Sequence, residues 1–243
     1  IVVIGAAGGI GLAVARNYAA PGVRLCLVAS TQGALAAAAG DCLRRGAQVD
    51  TVVIDLDDDD AVAEHLEAFD RHIPIDQVIA CTGDAALLAA LTASGGLADR
   101  MRRRERGGIT LVSALAGRAE WSNRPDHSAS QGGLAAYAGS LPRPHDDPVT
   151  VSIARAGRLA GRLAAGGADA RLVATNPDRA AEYIRRGIER GARVIAFPGP
   201  LFVGLRALHW LREWPPRAMH ESVADSAVED VPVPAPGDTS QGD

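Results

Sequence analysis

An α/β fold, one doubly wound parallel sheet with helices on both faces, is what the sequence predicts, and three observations predict it. The chain opens on a β-branched apolar run, Ile1-Val-Val-Ile4, that ends in a glycine cluster, Gly5-Ala-Ala-Gly-Gly-Ile-Gly11, and passes directly into an alanine-rich stretch of helical periodicity. Short apolar runs then alternate with helical ones as far as Trp214. Such alternation needs a parallel sheet, because each crossover lays a helix on one of its faces. With 243 residues at 47% hydrophobic content, the chain has enough apolar side chain for one core of this kind.

The first strand, turn and helix are justified by the glycines. Gly5, Gly9 and Gly11 let the backbone turn sharply and come close to a ligand, since a Cβ at those places would collide with it. The helix beginning there aims unpaired N–H groups and the positive end of its dipole at the turn, which suits a pyrophosphate. Val23 to Val28 reads as a second strand, Gln32 to Arg45 as an Ala/Leu-rich helix, and Gln48 to Ile54 as a third strand. The acidic run Asp55-Leu-Asp-Asp-Asp-Asp60 follows, and a helix from about Ala61 to Phe69 starts under it. Asp57 to Asp60 are expected to cap that helix, since acids in a first turn favour its dipole; Asp55, at the strand end, is the residue expected to line an adenine pocket.

Asp76 to Cys81 gives a fourth strand, Asp84 to Arg104 a long helix interrupted at Ser94-Gly-Gly, and Ile109 to Ser113 a fifth strand. His127 to Leu141 reads as a helix, Val149 to Ala154 as the sixth strand, Asp178 to Arg190 as an amphipathic helix, Arg193 to Phe197 as the last strand and Leu201 to Trp214 as the last helix. Arg155 to Asn176 breaks the alternation, being Gly/Ala/Arg-rich and following a strand end, and is expected to form a flap over the site. The domain is expected to span residues 1–218, and the acidic Pro-rich stretch 219–243 to be a disordered tail. In a sheet of this kind ligands bind beyond the carboxyl ends of the strands, where Gly5, Ser30, Asp55, Gly83, Ala114 and Gly157 fall.

Bulk properties exclude several partners. The net charge is −4 and no basic stripe is present, against a nucleic-acid partner. No apolar run reaches bilayer length, against a membrane partner. Cys26, Cys42 and Cys81 have neither metal-ligand nor disulfide spacing, so no metal is expected, and free thiols in a reducing cytoplasm are. The chain opens on a strand without a Met, which leaves an upstream segment open. All 25 Lys and Arg residues are arginine, so the chain contains no lysine.

The chain resembles the short-chain dehydrogenase/reductase family over nearly all of this span. The resemblance rests on Gly5-Ala-Ala-Gly-Gly-Ile-Gly11, Asp55-Leu56, Cys81-Thr-Gly83, Leu111-Val-Ser-Ala-Leu-Ala-Gly117 and Ser128-Ala-Ser-Gln-Gly-Gly133. It implies a Rossmann domain that binds NADP(H) or NAD(H), acts on a small molecule and assembles as a homodimer or homotetramer. The cofactor set it implies begins with Gly5, Ala7, Gly8, Gly9, Ile10 and Gly11 in the first turn. Ser30, Thr31, Asp55 and Leu56 follow, then Thr82, Gly83, Gln131 and Gly157. Ser30 and Thr31 stand where an acid would select the ribose diol of NAD, so its absence leans towards NADP(H).

The resemblance breaks at the reacting end. Aligning the Ser-Ala-Ser run puts His127 at the family's tyrosine acid, Gln131 at its lysine and Ala114 at its serine, while Ser113 is one residue early and faces the other way. No shift of alignment restores a lysine. The stretch from Gly83 to Met101 holds no asparagine, and the family's Pro-Gly after the sixth strand is Ala156-Gly157. His127 is the one candidate for a replacement acid, since imidazole has the right proton affinity near neutrality. Gln131 can bond a ribose hydroxyl but cannot lower a pKa by charge.

Three readings follow. The first is an NAD(P)H-dependent ketoreductase of atypical mechanism, acting on a flat aromatic, polyketide-like ketone and drawing its proton from substrate, water or His127; the stripped reacting end looks like the atypical ketoreductases of angucyclinone antibiotic biosynthesis, such as the simocyclinone pathway. The second is a silent dinucleotide-binding regulator or scaffold. The third is a non-redox cyclase or dehydratase on the same fold.

Overall fold

The computed structural model of the protein describes residues 1–81, 91–92, 96–114, 133, 147–156 and 176–197. The chain divides into two units, Ile1–Leu205 and Arg206–Asp243, and all of the described residues belong to the first. The stretch 219–243 therefore lies outside the described residues, as do the helices expected over His127 to Leu141, save Gly133, and over Leu201 to Trp214.

Seven strands form one sheet: β1 (Val2–Ile4), β2 (Arg24–Ala29), β3 (Gln48–Val53), β4 (Gln77–Ala80), β5 (Gly107–Ala114), β6 (Val149–Ala156) and β7 (Val194–Phe197). Their spatial order is β3-β2-β1-β4-β5-β6-β7, every pair parallel. The described helices are α1 (Gly9–Tyr18), α2 (Gln32–Arg44), α3 (Asp59–His72), α4 (Leu97–Arg103) and α5 (Pro177–Glu189).

Alternation along the strands divides the apolar side chains between two cores. Val3, Leu25, Leu27, Ile79 and Ile195 point to the face covered by α1, α2 and α5. Val2, Ile4, Val78, Ile109 and Leu111 point to the face covered by α3 and α4. The sheet is thus buried on both sides, as a doubly wound fold requires. Gly187 of α5 lets that helix sit hard on the sheet, since a Cβ there would come within 2.5 Å of the Ile195 side chain. Arg185 of the same helix donates to the Asn17 carbonyl at 2.7 Å and lies 5.2 Å from the Tyr18 ring centroid, which ties α5 to the end of α1.

Among the described residues the expected elements are found with small differences at their ends; of the helix expected over Asp84 to Arg104, α4 is the last part, and residues 82–90 and 93–95 lie outside the described residues. β5 begins at Gly107 rather than Ile109, because the Gly108 N–H bonds the Asp76 carbonyl at 2.9 Å and lengthens the ladder into residues that read as a loop. β6 continues through Arg155 and Ala156, held between Ser113 and Ala114 on one side and Ala196 and Phe197 on the other. The expected flap therefore loses its first two residues to the sheet, and Asn176 caps α5 by accepting from the Asp178 N–H at 2.8 Å. Residues 157–175 lie outside the described residues. The acidic run caps a helix as expected, Asp58 accepting from the Ala61 N–H at 2.9 Å, and α3 begins at Asp59, ahead of the expected Ala61.

One buried carboxylate fastens three elements at the amino edge of the sheet. Asp70, 2% exposed near the end of α3, accepts from Arg100 Nε at 2.8 Å, from Arg104 at 2.6 and 2.8 Å, and from the Ile75 N–H at 2.8 Å just before β4.

Three helices end in the same way. After α2 and α5 the chain turns through a left-handed glycine, Gly46 at φ +88° and Gly191 at φ +66°, and the backbone bonds of a Schellman motif close the end. After α4 the same bonds form around Glu105 at φ +55°, a conformation that an L side chain occupies at a cost of about 1 kcal/mol. Glu105→Gly is therefore expected to raise stability by up to about 1 kcal/mol, read as a higher denaturation midpoint in urea with an unchanged slope.

Candidate functional site

Strand order reverses between β1 and β4, paired side by side, β1 leading to β2 on one side and β4 to β5 on the other, which is where the ligand crevice of a doubly wound sheet lies. The loop entering that crevice is Gly5 to Gly11. Gly5, at φ +77°, turns the chain sharply, and the N–H groups of Gly5 and Ala6 both bond the Val28 carbonyl, at 2.9 and 3.1 Å, which pins the turn to the end of β2. Gly9 is also left-handed at φ +57°. Gly11 is required by space, because a Cβ on it would lie 2.1 Å from the Gly5 carbonyl oxygen.

Gly8 differs from the other three. Its backbone is extended and a Cβ there would meet nothing within 4 Å. It stands at the N-cap of α1, which has no side-chain cap and no acid in its first turn, so the first N–H groups of the helix keep their partial positive charge. At the end of β2, Ser30 and Thr31 are exposed, and α2 starts from Thr31 likewise without a side-chain cap or a first-turn acid. The helices away from the crevice differ: α3 carries Asp58, Asp59 and Asp60 at its start, and α5 carries Asn176 and Asp178. A cradle that no side chain fills, with two uncompensated helix starts beside it, fits the phosphates of a dinucleotide.

The structure places the other expected residues as follows. Ala7 is half-buried and Gly9 exposed in the loop, while Ile10 is 7% exposed and belongs to the core beneath it. Asp55 is exposed just beyond β3 and turns one carboxylate oxygen back to accept from the Asp57 N–H at 3.1 Å; Leu56, half-buried, packs against the α3 face. Cys81 directly follows β4, and its carbonyl carbon and Cβ lie 3.5 Å from where a Cβ on Gly5 would be. Burial pushes the Cys81 thiol up to about 12, so at neutral pH it is a protonated, unreactive part of the crevice floor. Ser113, 5% exposed, shares the α3 and α4 face with Leu111, as its alternation predicts. Thr82, Gly83, His127, Gln131 and Gly157 lie outside the described residues.

One residue at this edge escaped sequence reasoning. Arg155, taken for the start of a flap, is the register partner of Ser113 at the carboxyl end of β6. Its signal was present in the strand pattern Val149 to Ala156 but was masked by the Gly/Ala/Arg composition that follows. Among the described residues no three His, Cys, Asp or Glu side chains gather as a metal would require, and no helix is long and apolar enough to cross a membrane.

Comparison with known proteins fits this geometry. Residues 1–90 match the short chain dehydrogenase family model. An uncharacterized oxidoreductase in the mprA 5' region of Streptomyces coelicolor is 30% identical over 232 residues, covering 87% of this chain and 92% of the relative. A short-chain dehydrogenase from Sphingobium yanoikuyae, solved with NADPH, superposes with a TM-score of 0.66 at 20% identity, over 87% of this chain and 92% of that one. A variant of the actinorhodin polyketide ketoreductase, solved with NADPH, does so with a TM-score of 0.65 at 18% identity, over 83% and 96%. At such identities the superpositions speak for the fold.

Proposed function

The chain belongs to the short-chain dehydrogenase/reductase family, and from that premise we propose that it is an NAD(P)H-dependent ketoreductase that reduces a flat aromatic, polyketide-like ketone without the family's usual proton donor. The observation that carries the reading is the Gly5 to Gly11 cradle, closed to any side chain at Gly11 and open at Gly8. The dinucleotide, when bound, supplies a hydride. Backbone N–H groups at Gly8, Gly9 and Ile10 and the α1 dipole hold its pyrophosphate. Ser30 and Thr31 admit a 2′-phosphate, no acid being there to repel it, and Asp55 with Leu56 borders the adenine. Thr82, Gly83, Gln131 and Gly157 serve the nicotinamide half.

With no lysine in the chain, a tyrosine acid activated by a neighbouring ammonium is not available. Holding hydride donor and ketone in register supplies the catalysis instead, an effect worth up to about 7–11 kcal/mol in well-oriented systems. The proton comes from a phenol on the substrate beside the carbonyl, from water, or from His127. Support for the substrate class comes from the likeness to a polyketide ketoreductase. The proposed form is a cytoplasmic homo-oligomer, with residues 157–175 as a flap over the site.

The test is to mix the protein with NADPH or NADH and a panel of hydroxylated aromatic ketones, following loss of cofactor absorbance and the product. Reduction of at least one such ketone is expected. Binding of the dinucleotide with no ketone reduced would instead mark a silent dinucleotide-binding protein. His127→Phe in the active protein assigns the proton: near-normal turnover points to substrate or water, and a loss of 100-fold or more, the order typical of a missing general acid, points to the imidazole.

A further inference from the structure

Charge divides between the two edges of the sheet over residues 1–81, all of which are described and which build β1, β2 and β3 with their helices. The five arginines of this stretch stand at the amino edge: Arg24 opens β2, Arg16, Arg44 and Arg71 fall in the last turns of α1, α2 and α3, and Arg45 caps α2. Each crossover helix runs back against its strands, so its last turn lies where the strands begin. Arg16 is also bound to Asp41 of α2. The carboxyl edge carries the opposite charge, with Asp55, Asp57, Asp58, Asp59 and Asp60 between the end of β3 and the first turn of α3. β2 and β3 pair as far as Ala29 and Val53, and the Ile54 N–H bonds the Ala29 carbonyl at 3.1 Å. Ser30-Thr31 and Ile54-Asp55 therefore leave the sheet side by side.

We infer that the dinucleotide site selects NAD(H) over NADP(H), and that the acidic run beside β2, rather than a residue on β2 itself, sets the choice. The inference rests on the dinucleotide site of the ketoreductase reading. A pyrophosphate at the start of α1 sends the adenosine half over β2 and β3, so the ribose comes to Ser30 and Thr31 with the acids one strand further out. The two hydroxyls can pair with a ribose diol, which is neutral. A phosphate on the 2′ oxygen fits the space there but carries about −1.5 to −2 charges at pH 7. Phosphate groups are held by guanidinium or ammonium, and among residues 1–81 no arginine shares this edge, in a chain without lysine. The uncapped start of α2 offers only about half a positive charge, against five carboxylates. Repulsion wins.

Fluorescence titration of NADH and of NADPH against the same protein reads the choice without turnover. At 0.01 M ionic strength, where the Debye length is about 30 Å, NADH is expected to bind at least about tenfold tighter than NADPH. At 1 M, where that length is about 3 Å, the two affinities are expected to come within about threefold of each other. Asp57→Asn/Asp60→Asn removes two exposed charges and spares Asp58, which caps α3, and Asp55, which borders the adenine. In this variant NADPH affinity at low salt is expected to rise at least about threefold, with NADH affinity within about twofold of the native value. NADPH that binds the native chain as tightly as NADH at low salt overturns the inference and leaves the ketoreductase reading standing. A preference for NADH that salt leaves unchanged, or that the folded variant keeps in full, also overturns it, since a contact other than these charges then sets the choice. The salt series on the native chain decides the case in which the variant does not fold. Selective binding of NADH with no ketone reduced keeps the inference and overturns the ketoreductase; a protein that binds neither nucleotide overturns both.

Discussion

Gly11→Val abolishes NADPH binding: the expected result is a loss of affinity of at least about 100-fold, or about 2.7 kcal/mol, by fluorescence titration. A Cβ at this position would lie 2.1 Å from the Gly5 carbonyl oxygen and 2.8 Å from its carbonyl carbon, both backbone atoms that cannot rotate aside. The turn can move only by releasing the Val28 carbonyl, which holds the N–H groups of Gly5 and Ala6. The cradle then opens and the helix start no longer faces the pyrophosphate. Overpacking also destabilises the fold, by about 1–3 kcal/mol. Gly8→Ala separates the two effects. Its backbone is extended and a Cβ there has open space, so stability should stay within about 0.5 kcal/mol while the methyl group intrudes on the cradle and NADPH affinity falls. Full NADPH affinity in Gly11→Val would show that the dinucleotide binds elsewhere.

Asp70→Ala carries the second large effect, about 3 kcal/mol or more of stability, measured by urea denaturation. Removing the carboxylate strands Arg100 and Arg104, each about three-quarters buried, and leaves the Ile75 N–H without its acceptor. Burial alone would raise the Asp70 pKa. The hydrogen bonds from Arg104, Ile75 and Arg100 outweigh that and hold it below the ordinary aspartate value. A carboxylate depressed in the folded state contributes stability that is complete above the unfolded pKa, about 3.9, and is lost as pH falls through the lower folded one. The native chain should therefore lose stability steeply below about pH 4, and Asp70→Asn should show a shallower acid limb from a lower starting point. An identical acid limb in the two proteins would assign the acid loss to other groups.

Much of this protein was legible in order along the chain, because the interactions responsible are local. Gly5, Gly9 and Gly11 announce the first turn: the structure uses Gly5 and Gly9 in the left-handed conformation that glycine favours, and Gly11 in an approach that a Cβ would block. Asp58 announces the start of α3 because a cap acts within three residues, here on the Ala61 N–H. The absence of lysine is a fact of composition that no folding can alter. Alternation likewise foretold that Ser113 would face the other way from the position after it, since the period of a strand is fixed by its own geometry; the structure puts it on the face of Leu111.

What the tertiary structure decided concerns residues far apart in sequence. Gly107 and Gly108 read as a loop, yet become strand because the carbonyl of Asp76, just before β4 and far upstream in the chain, accepts from the Gly108 N–H. Arg155 and Ala156 read as the start of a flap, yet are held by β5 on one side and β7 on the other. The Asp70 cluster joins α3 to arginines some thirty residues later, and nothing in the local pattern distinguishes those arginines from exposed ones. The pairing of Ser113 with Arg155, forty-two residues apart, exists only in the register of β5 against β6. Sequence by itself determined the cradle and the missing reagent, because both follow from residue type and short spacing. Only the fold could set Arg155 beside Ser113, because register between parallel strands is set by the whole sheet.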